Sequence, residues 1–187
     1  MNPNAELATE SRTRADLFRV VVTGSECTGK STLAGELAAH YKIEFVPEFV
    51  RTFAESVGGR LQFTDHGPIA RGQMALEDEH ARRAGNLLIY DTDLLTTAVY
   101  CRHYFGRCPE WIEAAATDRV PSLYLVCDID VPWVADSLRD RGDRRPEMHE
   151  LFLTAVAASG APSAVITGDR RSRLDRAIAV IDKARAS

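Results

Sequence analysis

Five short apolar segments are spread along the chain, and each has the length of a buried β-strand. They occupy residues 17–22, 43–46, 87–90, 123–126 and 164–166. Between them, apolar residues recur at the i, i+3, i+4, i+7 spacing of amphipathic helices, most regularly at 33–41, 148–155 and 174–181. This alternation of strand and helix predicts a three-layer α/β fold, with a five-stranded parallel sheet and helices on both faces.

Length and composition favour a single domain. The chain has 187 residues, 45% of them hydrophobic, and no apolar run of 18 residues that could cross a membrane. We expect the domain to cover 17–187. Residues 1–16 are polar and lack the apolar core of a secretory signal, so we expect them to form a flexible leader.

Charge and cysteine usage exclude several classes of protein. The net charge of −4 argues against nucleic acid as the main partner, because such proteins usually carry a basic surplus. The four cysteines show neither a C-x-x-C pair nor zinc-finger spacing, which predicts reduced thiols in a cytoplasmic protein. We therefore expect neither a nucleic-acid nor a membrane partner, and the sequence leaves open whether the chain forms a homo-oligomer.

A glycine-rich loop between the first strand and the next helix is the strongest chemical signal. Residues 24–31 fit the pattern G-x-x-x-x-G-K-[ST] without a mismatch. In such a loop, backbone N–H groups surround the phosphates, Lys30 contacts the same oxygens and the Ser31 hydroxyl ligates Mg²⁺. The absence of a guanine-selective Asn-Lys-x-Asp string favours ATP. The predicted nucleotide-binding residues are Gly24, Ser25, Glu26, Cys27, Thr28, Gly29, Lys30, Ser31 and Thr32.

The second strand is followed by a carboxylate and a guanidinium, Glu48 and Arg51. A hydroxyl nucleophile needs a nearby group that takes its proton, so Glu48 is the candidate general base. Arg51 is the candidate that holds this carboxylate or an oxygen of the acceptor. The alternative is that Glu48 only starts the next helix and pairs with a surface arginine.

The third strand ends in the sequence Asp91-Thr92-Asp93. An acid at the end of an apolar strand is typical of the carboxylate that holds a Mg²⁺-bound water, so Asp91 and Ser31 are the predicted metal residues. Asp93 is predicted to face the hydroxyls of the acceptor. The alternative for Asp93 is a helix N-cap, because helix-forming residues follow it, and the two roles can coexist.

An arginine-rich segment at about 136–147 separates the fourth strand from a new helix and is predicted to form a lid. Arginines of a lid stabilise the transferring phosphoryl group and exclude water. Any of Arg139, Arg141, Arg144 and Arg145 could serve, and the alternative is a solvated loop of mixed charge. The segment 167–170, after the fifth strand, is a place where the nucleotide base could rest.

Four segments together resemble the ribosylnicotinamide kinase domain of NadR-type proteins, a P-loop NTPase family that is also grouped with AAA-type ATPases. The resemblance runs from about residue 18 to the C-terminus, and the aspartate-threonine-aspartate and proline-tryptophan elements are more specific than the loop alone. The four segments are 24–32, 46–51, 91–97 and 130–140.

This resemblance implies a P-loop kinase fold and a reaction in NAD biosynthesis. In that reaction, ATP phosphorylates the 5′-hydroxyl of nicotinamide riboside and gives nicotinamide mononucleotide. By position, the resemblance assigns ATP and Mg²⁺ to Lys30 and Ser31, the acceptor ribose to Glu48 with Asp91 or Asp93, and the lid to Arg139 with Arg144 or Arg145. The residues predicted to be catalytic are Lys30, Glu48, Asp91, Arg139 and Arg144.

Two other functions remain open from the sequence. One is a regulatory ATPase module that binds nucleotide and changes its contacts with a protein partner. The other keeps the kinase chemistry but uses another nucleoside, or a nucleotide, as acceptor. Aromatic residues that could stack an acceptor ring include Phe49, Tyr100, Tyr104, Phe105 and Trp111.

Overall fold

The structure is a computed structural model that describes residues 17–59, 61–132 and 144–187. Strands and helices alternate along these ranges, as the sequence predicts. The strands are β1 (Phe18–Thr23), β2 (Phe45–Val46), β3 (Leu87–Asp91), β4 (Leu123–Cys127) and β5 (Ser163–Ile166). The α-helices are α1 (Lys30–Tyr41), α2 (Phe49–Ser56), α3 (His66–Arg83), α4 (Leu94–Phe105), α5 (Glu110–Asp118), α6 (Arg145–Ser159) and α7 (Arg170–Arg185).

The five strands form one parallel sheet in the order β2-β3-β1-β4-β5. All five lie where the apolar segments predict them, but β2 is two residues shorter at its start. The backbone N–H of Ile43 donates to the carbonyl of Ala38, at 3.0 Å, and Lys42 takes a left-handed conformation at the end of α1. Ile43 therefore belongs to the helix C-cap, and its backbone is not available to the sheet.

Helices cover both faces of the sheet, which confirms the predicted three-layer fold. On one face, Val20, Val22 and Ile89 pack among buried residues of α1 and α7. On the other face, Val21 and Tyr90 pack among residues of α3, α4 and α6. Successive side chains of β1 alternate between the two cores, because a strand places consecutive side chains on opposite faces of its sheet.

The strand order places the carboxyl ends of β1, β2 and β3 side by side. Val22 of β1 is in register with Asp91 of β3, and Val46 of β2 is in register with Tyr90. The residues that follow these strands therefore meet at one edge of the sheet, where ligands bind in open α/β folds. No helix of the described residues is long and apolar enough to cross a membrane.

Candidate functional site

The glycine-rich loop lies directly after β1, and the side chains of Thr28 and Lys30 turn into it. Gly24 has a φ of +132°, and a Cβ atom there would lie 2.8 Å from the carbonyl oxygen of Cys127 in β4. Only glycine allows this close approach of two backbones. Gly29, with a φ of +80°, is the N-cap of α1, so the amino end of that helix begins at the loop as predicted.

Two side chains of the loop converge on one carbonyl group. The ammonium of Lys30 donates to the carbonyl oxygen of Ser25 at 2.9 Å, and the Thr28 hydroxyl donates to the same oxygen at 2.8 Å. The side chain of Lys30 is therefore folded into the loop, where 9% of the residue is exposed. A cation at this position, beside the amino end of α1, suits the oxygens of a bound phosphate.

Asp91 ends β3 beside the loop, and it is 3% exposed. Burial raises the pKa of its carboxyl group and the neighbouring Glu48 adds to this, whereas a hydrogen bond from Ser31 and the charges of Lys30 and Arg51 lower it. Lys30, Ser31, Glu48 and Arg51 thus all act on one carboxylate. The structure thus brings Lys30 and Ser31 next to a residue that lies far from them in the sequence.

The donors around Asp91 suit a magnesium ion. Its Oδ1 atom is buried and has no hydrogen-bond partner among the residues that the structure describes. The other donor is the hydroxyl of Ser31, and Mg²⁺ prefers such oxygen ligands with water and phosphate completing its shell. Ser31 and Asp91 are therefore the residues that would hold the ion, and the chemistry it supplies there is neutralisation of phosphate charge.

Glu48 lies at the other side of this group, immediately before α2. Its side chain is 15% exposed, and its carboxylate lies 3.6 Å from the guanidinium of Arg51. Glu48 occupies the N-cap position of α2, but its side chain makes no capping hydrogen bond. The Glu48 carboxylate can therefore accept a proton from a group bound next to Asp91. The ion pair with Arg51 holds this carboxylate in place.

Asp93 points into the protein. Thr92 has a φ of +68°, which is unusual for a β-branched residue and turns the chain between the two aspartates. The carboxylate of Asp93 accepts hydrogen bonds from the N–H of Thr96 at 3.1 Å and from the Tyr124 hydroxyl at 2.6 Å. Asp93 is thus the N-cap of α4, which was the alternative interpretation, and the acceptor-binding role predicted for it stays a prediction.

The predicted lid lies partly outside the described residues, which exclude Arg139 and Arg141. Arg144 pairs with Glu147 on the surface, at 2.6 and 2.8 Å. Arg145 is 8% exposed and donates to the carbonyl oxygens of Cys27 at 3.0 Å and Val131 at 2.7 Å. Arg145 therefore contacts the phosphate loop through the backbone of Cys27.

Arg173 is a site residue that the sequence analysis missed. From the first turn of α7, its guanidinium donates to the carbonyl oxygens of Thr28 at 2.6 Å, Gly168 at 2.8 Å and Asp128 at 2.9 Å, and it also pairs with Asp130. One side chain therefore ties the phosphate loop to the loops that follow β4 and β5. A signal was present, because Arg173 shares the buried stripe of α7 with Ala177 and Ile181.

The aromatic candidates are divided among several environments. Phe49 packs over Gly72, where a Cβ atom would lie 2.1 Å from its ring. Tyr100 and Tyr104 stack on each other, and the Tyr104 hydroxyl donates to Glu26 of the phosphate loop at 3.1 Å. Trp111 is 40% exposed with Arg71 over its ring. Phe105 packs against Phe63 and His66.

A network of buried polar groups lies behind the site. Asp93 and Glu77 are its two acids, and Arg119 donates to the carboxylate of Glu77 at 3.2 Å. Burial, followed by the charge of Asp93, raises the pKa of Glu77 to about 7, while Arg119 and Gln73 oppose the rise. The folded protein thus binds a proton at Glu77 over a pH range in which the unfolded chain has released it.

This shift predicts a specific pH dependence of stability. Because the pKa of Glu77 is higher in the folded state, its contribution to the free energy of unfolding is largest below about pH 4.3. That contribution is lost as the pH rises to about 7, by up to about 3 kcal/mol. We expect urea unfolding of Glu77→Gln to lack this decline. Glu79→Gln, at an exposed position of α3, should retain it, and a pH-independent difference between wild type and Glu77→Gln would contradict the assignment.

The fold and this site define a P-loop nucleotide-binding protein of the kinase type. A glycine loop that places a lysine and a serine beside a strand-ending aspartate is the arrangement that holds a triphosphate with its metal ion. Comparison with known proteins gives the family. A family profile described as an AAA domain matches residues 19–173, and the chain belongs to this family.

NadR proteins are among the proteins that this chain resembles. The "Trifunctional NAD biosynthesis/regulator protein NadR" of Escherichia coli is 33% identical over 140 residues, which cover 72% of this chain and 34% of the relative. Its counterpart from Salmonella typhimurium is 33% identical over 127 residues, which cover 66% and 31%. This chain is thus a NadR-like P-loop NTPase, and its matched part spans about a third of the length of these relatives.

Solved structures share the fold of this chain. A NadR protein in complex with NR has a TM-score of 0.81 at 22% identity, and the match covers 100% of this chain and 55% of that one. A NadR protein in complex with NAD and AMP-PNP has a TM-score of 0.80 at 22% identity, with the same coverage. Thymidylate kinase from Ehrlichia chaffeensis has a TM-score of 0.61 at 13% identity, covering 87% and 98%.

Proposed function

We propose that the chain is an ATP-dependent small-molecule kinase that phosphorylates the ribose 5′-hydroxyl of nicotinamide riboside. The observation that carries the proposal is the convergence of Lys30, Ser31 and Glu48 on Asp91. This set combines a cation for phosphate, oxygen donors for Mg²⁺ and a carboxylate that can take the proton of an attacking hydroxyl. A nucleotide-binding site of this composition suits phosphoryl transfer to an alcohol.

Each residue has one task in this reaction. Lys30 and the backbone N–H groups of the loop bind and orient the phosphates of ATP. Glu48 accepts the proton of the ribose 5′-hydroxyl, whose oxygen forms the new bond to the γ-phosphorus while the bond to the ADP oxygen breaks. Arg145 donates to the Cys27 carbonyl of the loop and is the candidate lid arginine for this chemistry.

The choice of acceptor is supported by the similar proteins. Relatives at 33% identity are named as NAD biosynthesis proteins, and a structure with the same fold contains NR. Nicotinamide riboside offers a primary hydroxyl that can become phosphorylated. Its ring could stack on an aromatic side chain, and Phe49, next to Glu48, is one candidate.

The test measures ADP release by the purified chain with ATP and Mg²⁺. Nicotinamide riboside is compared with adenosine, cytidine, uridine, thymidine and thymidylate, and with a reaction that lacks an acceptor. We expect stimulation by nicotinamide riboside to exceed that by every other acceptor by at least about tenfold. Specific contacts between a binding pocket and its preferred substrate change the ratio of rates for two competing substrates by this much. Lys30→Ala should abolish the stimulation, and Lys183→Ala, at an exposed position of α7, should retain it.

The remaining outcomes would each overturn part of the proposal. Stronger stimulation by another nucleoside or by thymidylate would keep the kinase chemistry and replace the acceptor. An absence of stimulation by any acceptor, together with measurable AMP-PNP binding, would overturn the kinase and favour the regulatory nucleotide-binding module.

A further inference from the structure

The amino end of α2 is held by a side chain from the interior of α3. The backbone N–H of Phe49 donates to Oε1 of Gln73 at 3.0 Å, and Gln73 is 3% exposed. Phe49 is the first residue of α2, so its N–H has no partner within its own helix. Because the side chain of Glu48 makes no capping hydrogen bond, Gln73 supplies the cap from a neighbouring helix.

Gly72, the residue before Gln73, also fixes the position of Phe49. Gly72 leaves the space that the Phe49 ring occupies, because a Cβ atom at this position would lie 2.1 Å from the ring. Two adjacent residues of α3 therefore fix Phe49, one through its backbone and the other through its ring. The position of Glu48, the preceding residue, follows from both contacts.

Glu77 lies one turn further along α3, on the same buried side of the helix as Gln73. The Gln73 amide lowers the pKa of the Glu77 carboxyl group, which burial raises. Nε2 of Gln73 and Oε1 of Glu77 are both buried, and neither has a hydrogen-bond partner among the described residues. An amide that turns its nitrogen toward Glu77 presents its oxygen to Phe49, so the two interactions require the same orientation.

We propose that Gln73, oriented by Glu77, is a positioning residue that sets the place of Glu48 for proton transfer. The inference rests on the proposed function, in which Glu48 takes the proton of the acceptor. A general base must lie within hydrogen-bond reach of that proton, and a displacement of about 1 Å can cost about a hundredfold in rate. Gln73 and Glu77 lie on α3, outside the phosphate loop, so their effect on ATP binding is small.

The test replaces Gln73 by methionine, which keeps the length of the side chain and removes the acceptor oxygen. We expect kcat to fall about tenfold to a hundredfold while the KM for ATP stays within about twofold. Hydrogen exchange of the Phe49 amide, followed by NMR, should become faster because its partner is lost. Leu76→Ala weakens the packing of the same helix and serves as the control, with kcat expected to stay unchanged below its melting temperature.

Two further variants separate positioning from general loss of structure. In the Glu48→Gln background, Gln73→Met should lower kcat by less than about threefold, because the two residues act through one group. Gln73→Glu alone places a second carboxylate next to Glu77 and should lower kcat. The double variant Gln73→Glu with Glu77→Gln exchanges the two groups, so that an amide donor at position 77 faces a carboxylate acceptor at position 73. We expect this variant to recover most of the lost kcat.

The results distinguish this inference from the proposed function. Full kcat in Gln73→Met, or equal losses in the wild-type and Glu48→Gln backgrounds, would overturn the positioning role while leaving the kinase intact. If no acceptor stimulates ADP release by the wild-type chain, the proposed function fails. Exchange of the Phe49 amide then decides whether Gln73 fixes the start of α2, and an unchanged exchange rate in Gln73→Met would overturn that as well.

Discussion

Replacing Glu48 with glutamine is expected to lower kcat by about a hundredfold to ten-thousandfold, because the variant cannot take the proton of the acceptor hydroxyl. The side chain keeps its size and stays at the start of α2, so affinity for AMP-PNP should remain within about twofold. The measurements are steady-state ADP release and equilibrium titration with AMP-PNP. A loss in kcat without a loss in nucleotide binding would place Glu48 in the chemical step.

Glu44→Gln is the matched control for this prediction. Glu44 lies four residues earlier, its side chain is 77% exposed, and it forms a long ion pair with Arg83 at 3.8 Å. The same chemical change at this position should leave kcat within about twofold. A Glu48→Gln variant as active as Glu44→Gln would remove Glu48 from the mechanism and favour the alternative in which it only begins α2.

Replacing Arg173 with methionine is expected to lower the free energy of unfolding by about 3 to 5 kcal/mol. The guanidinium is almost fully buried and satisfies the carbonyl oxygens of Thr28, Asp128 and Gly168 together with the charge of Asp130. Removing it leaves these acceptors without their donor in a buried setting, which is more costly than losing an exposed ion pair. Urea unfolding followed by circular dichroism measures the change.

Arg171→Met provides the comparison from the same turn of α7. The side chain of Arg171 is 81% exposed and pairs with Asp175 on the surface, so the change should stay within about 0.5 kcal/mol. Since Arg173 holds the backbone of Thr28, its loss should also weaken AMP-PNP binding by about tenfold or more. Equal stability of the two variants would show that the contacts of Arg173 contribute nothing beyond those of a surface arginine.

Much of the fold could be predicted because its signals are local. Each strand is an apolar segment of the right length, and the prediction failed only where Ile43 is taken into the C-cap of α1. The phosphate loop could also be predicted, since its glycines and lysine lie within eight residues of one another and form a recognisable pattern. Asp93 shows the limit of such signals, because a helix cap and a substrate contact call for the same residue type.

The residues behind the site could not be predicted with the same certainty. Gln73 and Glu77 share the buried stripe of α3 with Ile69, but polar residues on an amphipathic stripe do not reveal their partners. The partner of Gln73 is the N–H of Phe49, a backbone group that every residue except proline carries. Arg173 is similar, because it differs from its neighbours Arg170 and Arg171 only in facing the core.

The sequence by itself determined the strands and helices of this protein and its nucleotide loop. It also identified Lys30, Ser31 and Asp91 as the candidate residues for binding phosphate and Mg²⁺. Those features follow from hydrophobic spacing and from the backbone freedom of glycine, which act over a few residues. The tertiary structure alone decided that β2 pairs with β3, and hence that Glu48 lies next to Asp91. It also decided that Arg173 and Gln73 hold the two sides of the site, because contacts between distant segments depend on how the elements pack.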